Sequence, residues 1–295
     1  KHCPNLKAIS RHGVGYDNVD LNYIKKNKIS LLITATANAV AVAEHVFYLM
    51  LTISKNFLNL DNEVRLGNFK KNLSKFSTFE LNNKEILIAG FGRIGKNLIK
   101  KCLGFDMKVI VYDPYVDVKV IENFGGTKID DFEKGLEEAD FLSIHMPLTN
   151  ETKNLINYTN LKKMKKNSII INTARGGIIN EIDLDKALNE NIIFGAALDV
   201  FEKEPIENNN PLLKNKRIIL SPHSATFTDE CTSRMGIQTT QNIIDFFEGT
   251  IDKSMIINNN KFKKKIKKFW SFRYFSINFI YLCFYNVNLD SFNKI

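Results

Sequence analysis

The middle of the chain alternates short, uniformly apolar runs with segments of helical periodicity. Amphipathic stretches such as 94–103 and 182–189 separate the apolar runs, which we predict to be strands. The predicted strands are residues 86–89, 108–112, 141–144, 168–172, 194–198 and 217–220. Strands that are apolar on both faces are typical of a parallel sheet covered by helices. We therefore predict a doubly wound α/β domain over residues 56–223.

The segments on either side of this domain have different patterns. Residues 38–54 form one long, mostly apolar helix, of the kind that is usually buried between domains. Residues 1–36 resemble the end of a separate α/β domain, and an amphipathic helix over about 228–247 is expected to return to it. We expect a smaller domain built from residues 1–55, which include the interdomain helix, and residues 224–257. Because the chain opens without a methionine directly into an apolar strand, we expect an N-terminal segment to be missing.

The last segment, residues 258–295, is basic and aromatic. Eight basic residues and one acidic residue follow position 260, so this tail carries seven of the nine net positive charges. Its longest uncharged run has 16 residues and includes four serine or asparagine residues. That run is short for a membrane span, which needs about 20 apolar residues. We expect a poorly ordered tail, with a helix lying on a membrane surface as the alternative.

The composition points to an ordinary globular protein, with 44% hydrophobic and 25% charged residues in 295. Because most of the net charge lies in the tail, it gives no argument for nucleic-acid binding by the folded body. The four cysteines are far apart, which indicates reduced thiols in a cytoplasmic protein and neither a disulfide frame nor a metal site. The first residues lack the apolar region of a signal peptide.

A glycine fingerprint, GFGRIG, occupies residues 90–95 between an apolar strand and a predicted helix. In this context the first glycine allows a tight turn, the second a close approach to a pyrophosphate, and the third helix packing. The N–H groups at the start of the helix can bind phosphate. The predicted cofactor contacts are Gly90, Gly92, Arg93, Ile94 and Gly95. The alternative is a purely structural turn.

Asp113 ends the second predicted strand, 18 residues after Gly95. An acid there can accept hydrogen bonds from a ribose diol and repels a 2′-phosphate. No arginine follows it in Pro114 and Tyr115, so we predict NAD rather than NADP. A strand-end cap is the alternative role for Asp113.

Three polar residues follow the fingerprint in separate segments: Arg175 in an RGG turn, Glu204 before a proline, and His223 after a proline. Each alone is more often structural than functional. In this order, however, they supply a planar guanidinium that can form two parallel hydrogen bonds with a carboxylate, an anion beside a histidine, and a side chain that can carry a proton near neutral pH. Together with a nucleotide site, they fit hydride transfer to and from a small carboxylic acid.

Nearly the whole chain before Asn258 resembles the D-2-hydroxyacid dehydrogenase family. The likeness is carried by residues 11–20, 38–45, 90–95, 145–149, 172–177, 197–201 and 222–223. The resemblance implies a Rossmann NAD domain and a smaller, truncated flavodoxin-like α/β substrate domain. The tail after Asn258 has no counterpart in the family.

The family resemblance also implies roles for individual residues. Arg175 would hold the substrate carboxylate and polarise the C2 carbonyl, His223 would be the general acid and base, and Glu204 would hold His223. Asp199 would bind the nicotinamide carboxamide. The further implied cofactor contacts are Thr34, Met146, Pro147, Thr173, Ala174 and Ser224. The implied substrate contacts are Gly13, Val14, Gly15 and Asn38, with Arg175.

Within the family, the likeness favours 3-phosphoglycerate and 3-phosphohydroxypyruvate, the substrates of serine biosynthesis. Hydroxypyruvate or glyoxylate is the alternative, and another 2-hydroxy acid stays open. A non-catalytic NAD-sensing corepressor and an inactive remnant are alternatives of another class. We also expect a homodimer, because the helix over 38–54 has more apolar surface than one domain interface needs.

Overall fold

The computed structural model describes residues 3, 5–69 and 76–258, and their contacts divide the chain into two compact units. The first unit contains the described residues up to Asn38 and from Thr228 on, and the second is Ala39–Phe227. The predictions made for the tail from residue 259 on lie outside the described residues.

The observed elements have the following bounds. The strands are β1 (Ala8–Ser10), β2 (Ser30–Leu32), β3 (Glu85–Ala89), β4 (Lys108–Tyr112), β5 (Thr127–Lys128), β6 (Phe141–Ile144), β7 (Ile169–Asn172), β8 (Gly195–Leu198) and β9 (Ile218–Leu220). The helices are α1 (Leu21–Lys26), α2 (Ala39–Ser54), α3 (Phe57–Arg65), α4 (Arg93–Leu103), α5 (Val118–Asn123), α6 (Phe132–Glu138), α7 (Tyr158–Leu161), α8 (Glu181–Asn189) and α9 (Asp229–Glu248). Short 3₁₀ helices occur at Pro211–Lys214 and Lys253–Met255.

The second unit is built on a parallel sheet with the strand order β5-β4-β3-β6-β7-β8-β9. The chain enters at the centre with β3, runs outward to β5, and returns to β6 on the other side of β3. The strand order therefore reverses between β3 and β6, and in such sheets ligands bind outside the carboxyl ends of the strands near that point. The predicted doubly wound parallel sheet is confirmed.

Alternating side chains of the central strands enter two separate cores. Ile86 and Ile88 of β3 lie in one apolar cluster with residues of α2 and α4. Leu87 and Ala89 lie in the other, with residues of α6 and α8. Because each buried aliphatic side chain contributes about 1.5–3 kcal/mol, covering both faces of the sheet stabilises the second unit.

The long apolar helix belongs to the second unit, whereas the sequence assigned it to the smaller domain. Eleven of the sixteen residues of α2 are buried, and the helix packs on α4, β7 and β8. The observed boundaries are at residues 38/39 and 227/228, rather than 55/56 and 223/224. The apolar surface of α2 is used to cover the sheet of its own unit.

The first unit joins both ends of the described chain. Its strands β1 and β2 are parallel neighbours, with α1 between them in sequence. Helix α9 begins after the cap Thr228 and returns to the N-terminal segment, where Asn242 donates to Ile33 O at 3.0 Å and Arg234 to Ala37 O at 3.1 Å.

The described part of the chain contains no helix long and apolar enough to span a bilayer. Within the same residues, Cys3, Cys102 and Cys231 are free thiols, and no cluster of side chains could hold a metal ion.

Candidate active site

The predicted site residues of the second unit follow the carboxyl ends of its parallel strands. The glycine loop follows β3, Asp113 follows β4, Met146 and Pro147 follow β6, Thr173 to Arg175 follow β7, Asp199 and Glu204 follow β8, and His223 and Ser224 follow β9. Because carboxyl ends of parallel strands share one edge of a sheet, the topology collects these residues from six separate segments on that edge.

The glycine loop fits a bound dinucleotide. A Cβ on Gly90 would lie 2.7 Å from His145 O, and a Cβ on Gly95 would lie 2.6 Å from Gly90 O, so the fold itself requires both glycines. A Cβ on Gly92, in contrast, would meet nothing within 4 Å. Gly92 precedes α4, whose first turn no described side chain caps. The open space at Gly92 and the N–H groups of this helix start match the needs of a pyrophosphate.

Asp113 ties the glycine loop to the end of β4. Its Oδ2 accepts a hydrogen bond from Phe91 N at 2.8 Å, and its Oδ1 accepts one from Tyr115 N at 2.9 Å. Each carboxylate oxygen has a second lone pair, so Asp113 keeps acceptor capacity for ribose hydroxyls.

Glu204 and His223 form a hydrogen-bonded pair, with 2.7 Å between Glu204 Oε2 and His223 Nδ1. The other oxygen, Glu204 Oε1, accepts from Phe201 N at 3.1 Å. The hydrogen bond to Glu204 raises the pKa of His223, with burial opposing it. Burial raises the pKa of Glu204, but the hydrogen bonds from His223 and Phe201 outweigh burial and lower it. The pair favours a carboxylate beside an imidazolium whose ring is half-exposed, with 52% of the side chain accessible.

Hydrogen bonds to Asp199 fix the backbone around His223. His223 has a φ of +51°, a left-handed conformation that costs a non-glycine residue on the order of 1–3 kcal/mol. The carboxylate of Asp199 is 0% exposed and accepts from Ser224 N and Ala225 N, each at 2.9 Å, and from Ser221 Oγ at 2.6 Å. These contacts fix the loop of His223, and the role of Asp199 toward the nicotinamide carboxamide stays a prediction.

His45, on α2, extends this network. Its Nε2 lies 3.1 Å from Ser221 Oγ and 3.6 Å from Asp199 Oδ1. Because the Ser221 hydroxyl donates to Asp199, it must accept from His45, which assigns the proton of a neutral His45 to Nε2. Burial lowers the pKa of His45 against the pull of Asp199. This favours the neutral ring.

Arg175 lies in a turn that Asn172 shapes. Asn172 is buried at the end of β7; its side chain accepts from Ala174 N at 3.0 Å and donates to Arg175 O at 2.8 Å. A Cβ on Gly176 would lie only 1.8 Å from Phe201 O. The RGG turn therefore packs directly against the loop of Glu204. The positive charge of Arg175 contributes to the lowered pKa of Glu204 and partly opposes the raised pKa of His223.

Two further groups at this edge have unusual surroundings. The hydroxyl of Thr173 is buried without a hydrogen-bond partner among the described residues, which suits a predicted cofactor contact. Burial lowers the pKa of His145 to about 4, and its Nε2 lies 2.8 Å from Ser143 Oγ.

The remaining predicted contacts belong to the first unit. There Thr34 Oγ1 accepts from Gly13 N at 2.8 Å, and Thr34 N donates to Gly13 O at 3.1 Å. These bonds tie the loop of Gly13, Val14 and Gly15 to the segment after β2. Their cofactor and substrate roles, and that of Asn38, stay predictions.

The sequence assigned no role to His45, Asn172 or Ser221. All three are polar residues in or beside apolar segments, and Asn172 and Ser221 come at the ends of strands. This position was the available signal, because polar groups at the carboxyl edge of a buried sheet are either satisfied by neighbouring loops or face a ligand.

Comparison with known proteins places these features in a family. Residues 47–225 match the family model "D-isomer specific 2-hydroxyacid dehydrogenase, NAD binding domain". The chain is 38% identical to a glyoxylate reductase of Thermococcus litoralis, over 87% of this chain and 78% of that protein. It is 36% identical to a D-3-phosphoglycerate dehydrogenase of Archaeoglobus fulgidus, over 83% of this chain but only 46% of the relative. The D-lactate dehydrogenase of Aquifex aeolicus, complexed with NAD and lactic acid, superposes with a TM-score of 0.78 at 30% identity, over 86% of this chain and 80% of that one.

Proposed function

The chain belongs to the D-isomer specific 2-hydroxyacid dehydrogenase family, and we propose on that premise that it interconverts a small D-2-hydroxy acid and its 2-oxoacid with NAD. The observation that carries the proposal is the 2.7 Å bond between His223 and Glu204. This pair follows strands of the same parallel sheet that carries the glycine loop and Arg175. A proton carrier, a carboxylate fork and a dinucleotide loop are the parts that this reaction requires.

The glycine loop and Asp113 would hold NAD, which when bound donates or accepts the hydride at C2. Gly92 leaves room for the pyrophosphate, and Asp113 retains acceptor capacity for the ribose. The buried hydroxyl of Thr173 would find its missing partner on the cofactor.

His223 would donate the proton to the carbonyl oxygen during reduction and remove it during oxidation. Its Nδ1 is hydrogen-bonded to Glu204, so Nε2 would be the nitrogen that exchanges the proton with the substrate. Arg175 would grip the substrate carboxylate, since a guanidinium can form two parallel bonds with it.

For the substrate, we propose 3-phosphoglycerate and 3-phosphohydroxypyruvate first, as the sequence resemblance favours. The 36% identity to a D-3-phosphoglycerate dehydrogenase supports this. Glyoxylate or hydroxypyruvate is the second candidate, because the chain is 38% identical to a glyoxylate reductase and covers 78% of its length. The chain spans about half the length of its phosphoglycerate dehydrogenase relatives.

We further propose a homodimer, although the reason is not the one that the sequence offered. Helix α2 uses its apolar residues within its own unit. The support comes instead from α3, none of whose residues is buried and whose Phe57, Leu58 and Val64 are exposed.

The test is turnover by the purified chain with NADH and each of 3-phosphohydroxypyruvate, hydroxypyruvate, glyoxylate and other 2-oxoacids. His223→Ala should lower kcat by about 100- to 10,000-fold while NADH binding is retained. Arg175→Lys should also lose activity, because a point charge cannot replace a planar fork. NADH binding without any turnover would favour the NAD-sensing alternative, and a chain that neither folds nor binds NADH would favour the inactive remnant.

A further inference from the structure

The loop that carries Glu204 is fastened to the rest of the second unit by another carboxylate. Glu181 is the first residue of α8, and only 7% of it is exposed. Its Oε1 accepts from Glu202 N, and its Oε2 accepts from Asn210 Nδ2, both at 2.6 Å. These two partners lie on either side of Glu204 in sequence. The carboxylate of Glu181 is therefore hydrogen-bonded to the loop both before and after Glu204.

Burying a carboxylate is costly unless its oxygens are hydrogen-bonded, and both oxygens of Glu181 are. Bonds to an ionised acceptor are short and about twice as strong as neutral ones. The other charged groups that line the shallow cavity beside Glu181 are Glu202, Lys203 and Glu207. Lys203 and Glu207 pair with each other at the surface, so they do not replace Glu181 in holding the loop.

The position of Glu204 matters because both of its oxygens are also committed. Oε1 accepts from Phe201 N, next to the N–H that Glu181 binds, and Oε2 bonds to His223. The adjacent N–H groups of Phe201 and Glu202 therefore donate to two different carboxylates, those of Glu204 and Glu181. A shift of Glu202 away from Glu181 would move Phe201, and with it Glu204.

We propose that Glu181 is a positioning residue that sets Glu204 against His223, by clamping the Glu204 loop at Glu202 and Asn210. The proposal rests on the proposed function, in which His223 is the proton carrier. This role differs from that of a carboxylate that only interacts with the positive end of its own helix.

The chain provides a matched control on the same helix. Asp185 of α8 accepts from Asn215 Nδ2 at 2.8 Å, which is the same type of contact to a later part of the connection between β8 and β9. Asp185→Asn therefore makes the same chemical change as Glu181→Gln, at a place with no contact to Glu204.

The experiment is an NMR titration of His223 in the cofactor-free chain, so that the readout does not depend on turnover. Groups that act on His223 besides Glu204 are Asp199 and Arg175, and both stay unchanged in all variants. Glu181→Gln should move the pKa of His223 toward the free-histidine value of about 6.5. Asp185→Asn should leave it unchanged.

The double variant Glu181→Gln/Glu204→Gln should titrate like Glu204→Gln alone, because Glu181 acts only through Glu204. Asn210→Ser tests the same clamp from the other side. A serine keeps the cap to Leu212 N but is too short to reach Glu181, so this variant stands in if Glu181→Gln does not fold. In turnover, Glu181→Gln should lower kcat by about tenfold, less than the loss of the acid itself.

An unchanged His223 pKa in folded Glu181→Gln or Asn210→Ser would overturn the proposal, as would equal shifts in Asp185→Asn. If Glu204→Gln also failed to move the pKa, the pairing of Glu204 with His223 would fall with it. If Glu204→Gln shifted the pKa and Glu181→Gln did not, only the clamp would be wrong.

Discussion

Asp113 and Asp199 give the same signal in sequence, an acid directly after an apolar strand, yet they have different surroundings. Asp113 is partly exposed beside the glycine loop. Asp199 is fully buried and accepts four hydrogen bonds from residues 221–225. Sequence alone could place both acids after apolar strands but could not show their different surroundings, because burial and the choice of partner depend on a loop more than 20 residues away.

Asp113 should decide cofactor choice. Asp113→Asn keeps one acceptor oxygen but removes the negative charge, so it should narrow the preference for NADH over NADPH. Asp113→Ala should also weaken NADH binding, because it removes the acceptor of Phe91 N that holds the glycine loop. Fluorescence titrations with both cofactors measure this. Tighter binding of NADPH than of NADH by the unaltered chain would contradict the assignment.

Glu204 should set the pH range of catalysis. The hydrogen bond to Glu204 raises the pKa of His223. Reduction needs protonated His223, so its rate should fall as pH rises through that raised pKa. In Glu204→Gln the alkaline limb of kcat/KM for reduction should move to lower pH, toward about 6.5. The acid limb for oxidation, which needs the neutral ring, should move the same way. Measuring kcat/KM against pH for both reduction and oxidation, with the unaltered chain and with Glu204→Gln, checks this. If neither limb moves in the variant, Glu204 does not set the pKa of His223.

In the sheet of the second unit, the apolar strands were predictable and the two-residue strand β5 was not. The six predicted strands agree with β3, β4, β6, β7, β8 and β9 to within one residue. Strand β5, Thr127–Lys128, has two residues and no apolar pattern; it exists because it can pair with the edge of β4. Short helices such as α7 likewise depend on caps and neighbours more than on periodicity.

Two glycines of different elements should separate stability from cofactor binding. Gly176→Ala would place a methyl group 1.8 Å from Phe201 O, so it should destabilise the chain by about 3 kcal/mol. Gly92→Ala has free space and an extended backbone, so it should leave stability nearly unchanged. It should nevertheless weaken NADH binding at least about tenfold, because its methyl group lies where a pyrophosphate would approach. Urea denaturation and NADH titration of both variants measure the two effects. A destabilised Gly92→Ala together with a stable Gly176→Ala would contradict these roles of the two glycines.

For the molecule as a whole, the doubly wound parallel sheet was the most informative inference. The parallel sheet followed from the apolar pattern of its strands. Because those strands are parallel and share an edge, the six segments that carry predicted site residues begin at that edge. The domain boundary did not follow, because an apolar helix such as α2 has the same sequence pattern whether it lies between domains or on a sheet. Its contacts with α4, β7 and β8 decide the matter.

The proposed homodimer can be tested through α3. A nine-residue helix is marginal in isolation, and α3 packs on α2 without burying any of its own residues, so a subunit contact over its exposed face would stabilise it further. Leu58 is 53% exposed, and Leu58→Glu should shift the chain toward monomers in sedimentation experiments. Ile237→Glu is the control, since Ile237 on α9 is 68% exposed and outside this helix. It should keep the mass of the unaltered chain. A monomeric unaltered chain, or equal dissociation by both variants, would show that α3 is not the contact between subunits.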